Sequence, residues 1–150
     1  MAEYSFEQSA VIDAPPERVY GIVADYRNGH PRILPKQFHD LVVEQGGVGK
    51  GTVIRFQATL MGRTETLRAT ITEPEPGRVL VERYPETGNV TTFTADPVDG
   101  GRATRMTISS VMQGKGGVLG ALERFILPRV LRPIYIEELK LLAKVAAEQG

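Results

Sequence analysis

Residues 52–73, with the sequence TVIRFQATLMGRTETLRATITE, decide the fold of this chain. In the first half, every second residue is apolar, and these positions are Ile54, Phe56, Ala58 and Leu60. The second half continues the alternation with Leu67, Ala69 and Ile71. A period of two is typical of a strand with one buried face. Because Met61-Gly62-Arg63 between the halves suits a tight turn, the stretch predicts an antiparallel hairpin.

The same alternation extends outward from this hairpin in both directions. Further strands are predicted at residues 4–12, 41–44, 78–84, 90–97 and 102–112, each bounded by glycine, proline or other turn residues. Asp99-Gly100-Gly101 is a typical hairpin turn. Six or seven consecutive strands with short connections indicate one meandering antiparallel sheet.

Two helical regions flank these strands. Pro15 and Pro16 suit the start of a short helix that ends near Asp25, and residues 26–37 allow at most a helical turn. Residues 118–148 have helical spacing, with Leu119, Leu122 and Ile126 in one part and Leu139, Leu142 and Val145 in the other. Pro128 and Pro133 predict a kink in this long helix. The fold class is therefore α+β.

Composition narrows the possible functions. The 150 residues are 41% hydrophobic and 24% charged, which fits a single folded domain over residues 1–150. Lys+Arg and Asp+Glu balance at 18 each, whereas a general nucleic-acid binder would carry a basic excess. The absence of cysteine excludes disulfides and thiolate sites, and two histidines exclude a His-rich metal site. We therefore predict no metal and no nucleic-acid partner.

Glycine-rich segments do not change that prediction. In residues 46–52, Gly51 separates Gly49-Lys50 from Thr52, so the phosphate-loop pattern fails. The glycines of residues 114–120 miss the dinucleotide-binding spacing by one residue. We expect no cofactor. The first five residues carry neither a basic nor an apolar targeting pattern, and no stretch is apolar enough to span a bilayer, so we expect a cytoplasmic protein.

Five segments together carry a family resemblance. They are the strand-to-helix junction at residues 12–20, the helix end Asp25-Tyr26, the strand entry Gly49-x-Gly51-Thr52, the turn at residues 73–80 and the hairpin at residues 99–104. In this order they resemble the START-related (SRPBCC) superfamily, which includes polyketide cyclases and dehydrases. The resemblance implies a helix-grip fold, in which a curved antiparallel sheet wraps around the long C-terminal helix. These segments are turns and caps, so they indicate a fold and not an activity.

The resemblance implies an apolar cavity between sheet and helix. Inward positions with small or polar side chains, such as Ala58, Ala69, Ala95 and Ser110, would leave such space unfilled. The residues predicted to line it are His30, Leu34, Ile54, Phe56, Ala58, Glu65, Leu67, Ala69, Glu82, Tyr84, Phe93, Met106, Ile108, Ser110, Met112, Leu122, Phe125, Ile126 and Tyr135. In the alternative interpretation, Phe6, Phe56, Phe93, Met106, Met112 and Phe125 fill the interior.

Several polar residues have two possible interpretations. His30 and His39 are expected to be exposed loop histidines, although His30 lies in the loop that the resemblance places near the cavity mouth. Glu65 and Glu82 fall in the apolar phase of their strands, so they either face inward to orient a ligand or lie in water at strand ends. Tyr84 and Tyr135 could donate hydroxyls into the cavity. No His–Asp spacing supports a nucleophilic triad, so no catalytic residue is assigned.

The stretch from Val118 to Ile136 combines apolar residues with Arg124, Arg129 and Arg132. Such a helix could contact a membrane surface peripherally, or it could pack on the core with a solvated arginine face.

Three functions follow from these observations. The first is binding of a small hydrophobic molecule such as a lipid, polyketide or isoprenoid. The second is an enzyme of the cyclase/dehydrase type that works without a metal or covalent nucleophile. The third is an accessory module, such as a cochaperone or quinone-chain protein, that binds a protein partner. The oligomeric state and the identity of the ligand stay open.

Overall fold

A computed structural model describes residues 3–114 and 116–148. Expectations about the first two residues and about Lys115 lie outside the described residues. The elements, in chain order, are β1 (Glu3–Ile12), α1 (Pro16–Ala24), a 3-10 turn (His30–Ile33), β2 (Phe38–Gln45), β3 (Val53–Leu60), β4 (Arg63–Glu75), β5 (Val79–Tyr84), β6 (Asn89–Val98), a second 3-10 turn (Asp99–Gly101), β7 (Ala103–Gln113) and α2 (Gly117–Glu148).

All seven strands form one antiparallel sheet in the order β1-β7-β6-β5-β4-β3-β2. The hairpin predicted from residues 52–73 pairs in the expected register, since Phe56 lies opposite Leu67 and Ile54 lies opposite Ala69. Alternation then directs one set of side chains inward along each strand. Ala58 and Ala95 are among the inward residues that are almost completely buried. The sheet therefore presents one continuous, mostly apolar face.

Irregularities in the ladder bend this sheet. The pairing of β2 with β3 shifts between His39 and Val42, where Asp40 adopts a positive φ of 57°. A second shift separates Thr72 from Glu75 in the pairing of β4 with β5. An extra residue in one strand increases the local bend and twist. The result is a curved sheet with a concave inner face.

Helix α2 lies against this concave face and contacts β1, α1 and the first 3-10 turn. Its C-terminal half contributes Leu139, Leu142 and Val145 to the core, together with residues of α1 such as Val19 and Val23. Because a sheet with one apolar face must bury that face, the long helix is its natural cover. This arrangement confirms the predicted helix-grip architecture.

The structure differs from the sequence-based prediction in the bounds of one strand. Strand β2 begins at Phe38, several residues before the predicted start, because the bulge at Asp40 hides the alternation. Helix α2 continues through Pro128 and Pro133, and the kink expected at these prolines stays a prediction. A proline removes one N–H and frees the carbonyl four residues earlier. Here those carbonyls belong to Arg124 and Arg129, which are exposed, so water can hydrogen-bond to them.

Candidate functional site

A cavity of about 900 Å³ lies between the concave face of the sheet and α2. Its size falls within the range of about 300–1,000 Å³ that is typical of small-molecule sites. The alternative in which aromatic and methionine side chains fill the interior is therefore wrong. Predicted residues that line the cavity are His30, Leu34, Ile54, Phe56, Ala58, Glu65, Leu67, Glu82, Tyr84, Phe93, Ile108, Met112, Leu122, Ile126 and Tyr135.

Four predicted residues lie away from the cavity wall. Ala69 and Met106 are fully buried in the packed core. Ser110 is buried behind Tyr135, whose hydroxyl oxygen lies 2.6 Å from the Ser110 Oγ. Phe125 is exposed, and the Arg129 guanidinium lies 3.9 Å from its ring centre. Facing inward along a strand or helix was therefore not enough to place a side chain at the cavity, because the cavity occupies only part of the interior.

The sequence analysis missed other lining residues. These are Tyr4, Phe38, Leu41, Leu60, Met61, Arg63, Glu86, Thr87, Asn89, Thr91, Gln113, Gly114, Leu119, Glu123, Leu127, Leu131 and Glu138. Of these, Glu138 had a readable signal. It lies seven residues after Leu131 and seven before Val145 in α2, so helical periodicity places it on the buried face. A carboxyl group on the buried face of a helix is uncommon, because burial of a charge is costly.

The two ends of the cavity differ in exposure. Met61 and Leu119 line one end and are among the most exposed apolar residues, which makes this end the mouth. At the other, closed end, His30, Glu82 and Glu138 line the cavity and are almost completely buried. The polar groups at the closed end are therefore shielded from bulk water.

His30 occupies the closed end because its loop tucks tightly beneath α1. Gly29 precedes it, and a Cβ on Gly29 would lie only 2.5 Å from the Ile22 carbonyl oxygen, so a larger residue would push the loop outward. The His30 ring stacks on Tyr26 and meets Phe93 edge-on. The expectation that His30 is an exposed loop histidine is therefore wrong. One side of this loop faces solvent, and the side that carries His30 is buried. The loop has no regular alternation of polar and apolar residues, so its sequence did not show which side is buried.

Glu82 is held by two tyrosine hydroxyls. Its Oε2 accepts a hydrogen bond of 2.6 Å from the Tyr26 hydroxyl, and its Oε1 accepts one of 3.0 Å from the Tyr84 hydroxyl. Burial and the nearby Glu82 carboxylate raise the pKa of both tyrosines well above the usual value, so both keep their protons. Glu82 therefore faces inward, as one of its two interpretations proposed, and the Tyr84 hydroxyl donates a hydrogen bond to it.

Glu138 and Glu82 each bring an Oε2 atom near Nε2 of His30, and Glu138 makes no hydrogen bond to the described residues. Its side chain is nonetheless almost completely buried. Burial, reinforced by the Glu82 carboxylate, raises the pKa of Glu138 well above its usual value. Glu138 is therefore a carboxylic acid over a wider pH range than an exposed glutamate, and it lines the cavity beside Nε2 of His30.

The His30 ring presents a base to the same space. Its Nδ1 donates a hydrogen bond of 2.7 Å to the Val23 carbonyl oxygen, which fixes the proton on that nitrogen. Nε2 faces Glu82 and Glu138 at 3.8 Å and 3.9 Å, distances that are too long for hydrogen bonds. Burial lowers the pKa of His30 and favours the neutral ring. We call His30, Glu82, Glu138, Tyr26 and Tyr84 the buried cluster.

Other polar candidates lie outside the buried cluster. Glu65 lines the cavity but is exposed, in agreement with the interpretation of a carboxylate in water. His39 lies on β2, where its ring nitrogens contact Asp40 and the Thr59 hydroxyl, away from the cavity. Asp40 follows His39 directly in the strand, and its positive φ of 57° accompanies the 2.6 Å contact between its carboxylate and His39 Nδ1.

Tyr135 lines the cavity beside the buried cluster. Its hydroxyl pairs with the Ser110 hydroxyl, which in turn pairs with Thr91 at 2.8 Å. Burial raises the pKa of Tyr135 to about 12. The predicted hydroxyl is therefore present at the cavity wall, but it is already engaged by the sheet. This hydrogen bond joins α2 to β7.

Residues 3–114 and 116–148 contain neither a metal-binding cluster nor a helix able to span a membrane. No group of three or more His, Asp or Glu side chains in these ranges is arranged to hold a metal ion. Nor does any helix among the described residues have the length and apolar character needed to cross a bilayer.

Solved structures share this architecture. The KanY protein is 27% identical, with a TM-score of 0.84 over 98% of this chain and 99% of that one. The ZhuI aromatase/cyclase from Streptomyces sp. R1128 is 18% identical, with a TM-score of 0.79 over 99% and 96%. Norcoclaurine synthase from Thalictrum flavum, solved with dopamine and hydroxybenzaldehyde, is 13% identical, with a TM-score of 0.72 over 99% and 89%. The likeness to the last two concerns the fold.

A comparison with curated proteins gave no match. A comparison with family models matched residues 3–147, nearly the whole chain, to the family described as polyketide cyclase / dehydrase and lipid transport. The match agrees with the curved sheet, the long helix and the cavity between them. The chain therefore belongs to the polyketide cyclase/dehydrase and lipid transport family, within the START-related superfamily.

Proposed function

We propose that this protein binds a small, largely apolar molecule in the cavity, with a polar group of that molecule directed at the buried cluster. The observation that carries the proposal is Glu138, a carboxyl group that lines the closed end of the cavity, is almost completely buried and makes no hydrogen bond to the described residues. A carboxyl group held so far from bulk water is costly to a fold. A bound ligand that hydrogen-bonds to this carboxyl group would offset that cost.

The remaining lining supports this proposal. Isoleucine, leucine, phenylalanine and methionine side chains form most of the wall between the mouth and the closed end. Burial of apolar surface contributes about 25 cal/mol per Å². The apolar walls therefore contribute affinity for the apolar part of a ligand whatever its exact structure. The buried cluster orients the ligand. This division is typical of small-molecule sites.

Blocking the cavity tests the proposal. Ala58→Phe adds a ring at an inward position of β3 that lines the cavity, and Gln57→Phe adds the same ring to the opposite face of the same strand. Displacement of the neutral fluorophore N-phenyl-1-naphthylamine would report the affinity. We expect Ala58→Phe to weaken fluorophore binding about tenfold or more, and Gln57→Phe to leave it unchanged. Equal affinity in both variants and the wild type would contradict the proposal.

Native mass spectrometry of the purified protein, followed by solvent extraction, would identify a retained ligand. Where Ala58→Phe unfolds, Leu67→Phe on β4 offers a second cavity-lining position with a smaller change in volume. Circular dichroism of each variant separates loss of folding from loss of binding.

A second candidate function is catalysis of proton transfer, as in a cyclase or dehydrase. It is favoured by one specific observation, a neutral base and a protonated acid that face the same space: Nε2 of His30 and the Glu138 carboxyl group, 3.9 Å apart. His30 would take a proton from the carbon beside a ketone, and Glu138 would give its proton to the ketone oxygen, which leaves the enol. ZhuI, which shares this fold, is an aromatase/cyclase, and this supports the second candidate.

Deuterium exchange tests the second candidate. The bicyclic ketone 2-tetralone would be incubated with the protein in D₂O, and loss of its α-proton signal followed by NMR. Catalysis predicts faster exchange than in buffer, and His30→Gln should remove about a hundredfold of the acceleration. The Glu137→Gln variant changes an exposed neighbour of Glu138 and is the control. Exchange no faster than in buffer would remove this candidate and leave the binding proposal intact.

A further inference from the structure

Charge is distributed unevenly around the cavity. Five carboxyl groups line it, those of Glu65, Glu82, Glu86, Glu123 and Glu138. Among the described lining residues, the one side chain with a permanent positive charge is Arg63, which is exposed at the mouth. Bulk water screens charges at the mouth strongly, whereas charges at the closed end act through a medium of low dielectric constant. The sign of the closed end therefore matters most.

The closed end is acidic. The two groups that hold the Glu82 carboxylate are tyrosine hydroxyls, which hydrogen-bond to its charge but do not neutralise it. Burial outweighs the opposing effects of Glu82 and the Val23 carbonyl and lowers the pKa of His30, which favours the neutral ring. The hydrogen bond to Val23 places the proton of that neutral ring on Nδ1, so the ring contributes no compensating cation. No lysine or arginine lines this end among the described residues. A carboxylate or phosphate placed here would face Glu82 and Glu138 with no donor of opposite charge.

Both carboxyl groups still have free acceptor capacity. Each oxygen of a carboxylate can accept two hydrogen bonds, and Glu82 uses one on each oxygen. A protonated primary amine has three hydrogen-bond donors, and its positive charge would pair with the Glu82 carboxylate. It would also satisfy the carbonyl oxygen of Glu138, which has no hydrogen bond to the described residues.

We infer that the cavity selects apolar amines, whose ammonium group is held between Glu82 and Glu138 at the closed end, and that it rejects ligands with an anionic group at that position. This inference rests on the proposed binding function and names its ligand class. Alcohols take an intermediate position, because a hydroxyl satisfies the hydrogen bonds but not the charge. Fatty acids and phosphorylated lipids are the disfavoured class.

Three ligands that share the same alkyl chain but differ in their polar group test this selectivity. Decylamine, decanol and decanoate would each displace N-phenyl-1-naphthylamine from the wild-type protein near neutral pH, below their micellar concentrations. We expect decylamine to bind about tenfold or more tighter than decanol, and decanoate to bind weaker than decanol. Decanoate that binds as tightly as decylamine overturns the inference but leaves the binding function standing. Failure of all three ligands and of the fluorophore overturns both.

Variants that each remove one carboxyl group test which residue produces the preference for the amine. In Glu82→Gln, the preference for decylamine over decanol should fall by about tenfold, and in Glu138→Gln it should fall by less, because Glu138 holds its proton more firmly. Glu137→Gln removes the same formal charge from the exposed side of α2 and should leave the preference unchanged. The ratio of two affinities does not respond to general loosening of the fold. An unchanged ratio in Glu82→Gln would therefore overturn the inference.

Discussion

Both halves of helix α2 are rich in apolar residues, but these residues lie in different environments. In the N-terminal half, Val118, Leu119, Leu122 and Phe125 are exposed, and Leu119 reaches 78% exposure. In the C-terminal half, Leu139, Leu142 and Val145 are buried, and Leu142 is only 1% exposed. The C-terminal half packs on the sheet and α1, whereas the N-terminal half crosses the mouth of the cavity. One helix thus serves both as core and as rim of the cavity.

This contrast teaches that apolar residues in α2 have two physical roles. Those in the C-terminal half stabilise the fold by burial. Those in the N-terminal half form an exposed apolar rim, a feature that is typical of ligand or partner sites. The same rim is the part of the segment from Val118 to Ile136 that could contact a membrane surface, which stays a prediction.

The largest predicted difference concerns stability. Leu142→Ala in the buried half should lower the free energy of unfolding by about 2–5 kcal/mol, because it leaves a void in packed surroundings. Leu119→Ala in the exposed half should change it by less than about 0.5 kcal/mol. Urea unfolding of both variants measures the two values. Similar losses in the two variants would show that the N-terminal half is packed in solution.

The next predicted effect is a dependence of folding stability on pH, which arises from Glu138 in the buried half of α2. Burial and the Glu82 charge raise the folded-state pKa of Glu138. Below the usual glutamate pKa both folded and unfolded chains hold this proton, so stability is unaffected there. As pH rises, the unfolded chain ionises first and gains relative stability, until folded Glu138 ionises too. Wild type should therefore lose stability relative to Glu138→Gln as pH increases.

Thermal unfolding between about pH 4 and about pH 8 measures this difference. Glu137→Gln should show no such trend, because that side chain is exposed. A constant offset between wild type and Glu138→Gln at every pH would mean that Glu138 ionises normally in the fold.

The smallest predicted difference is between two tyrosine hydroxyls, one that belongs to α2 and one that hydrogen-bonds to it. Tyr135→Phe removes the 2.6 Å contact with Ser110 in the buried half and should cost about 1 kcal/mol. Tyr4→Phe removes a long hydrogen bond of 3.4 Å to Glu123 in the exposed half and should cost less than about 0.5 kcal/mol. Denaturant unfolding under identical conditions resolves the order. The reverse order would indicate that the mouth is held more firmly than the exposures suggest.

Much of the fold was readable because it depends on local patterns. Alternation in residues 52–73 predicted β3 and β4 to within two residues of their observed bounds, since a strand with one buried face needs that period. The helical spacing of residues 118–148 gave α2 nearly to the residue. Five short segments added the topology through their resemblance to a known family. Irregular backbone, as at Asp40, was the part that periodicity could not describe.

The candidate site was only partly readable. Inward-facing positions such as Phe56 and Glu82 followed from strand alternation, and Glu138 would have followed from the spacing of α2. The location of the void did not follow, so Ala69 and Met106 were assigned to a wall that they do not form. A void depends on the distance between sheet and helix, which no single segment encodes.

By itself, the sequence determined the strands, the long helix and which faces are apolar, because each depends on neighbours within a few residues. Tertiary structure alone decided that His30 is buried, that it meets Glu82 and Glu138, and that this meeting takes place at the closed end of a cavity. The three residues belong to a loop, a strand and a helix that are far apart in the chain. Only the folding of the sheet around α2 brings them together, and the loss of water there gives them their unusual chemistry.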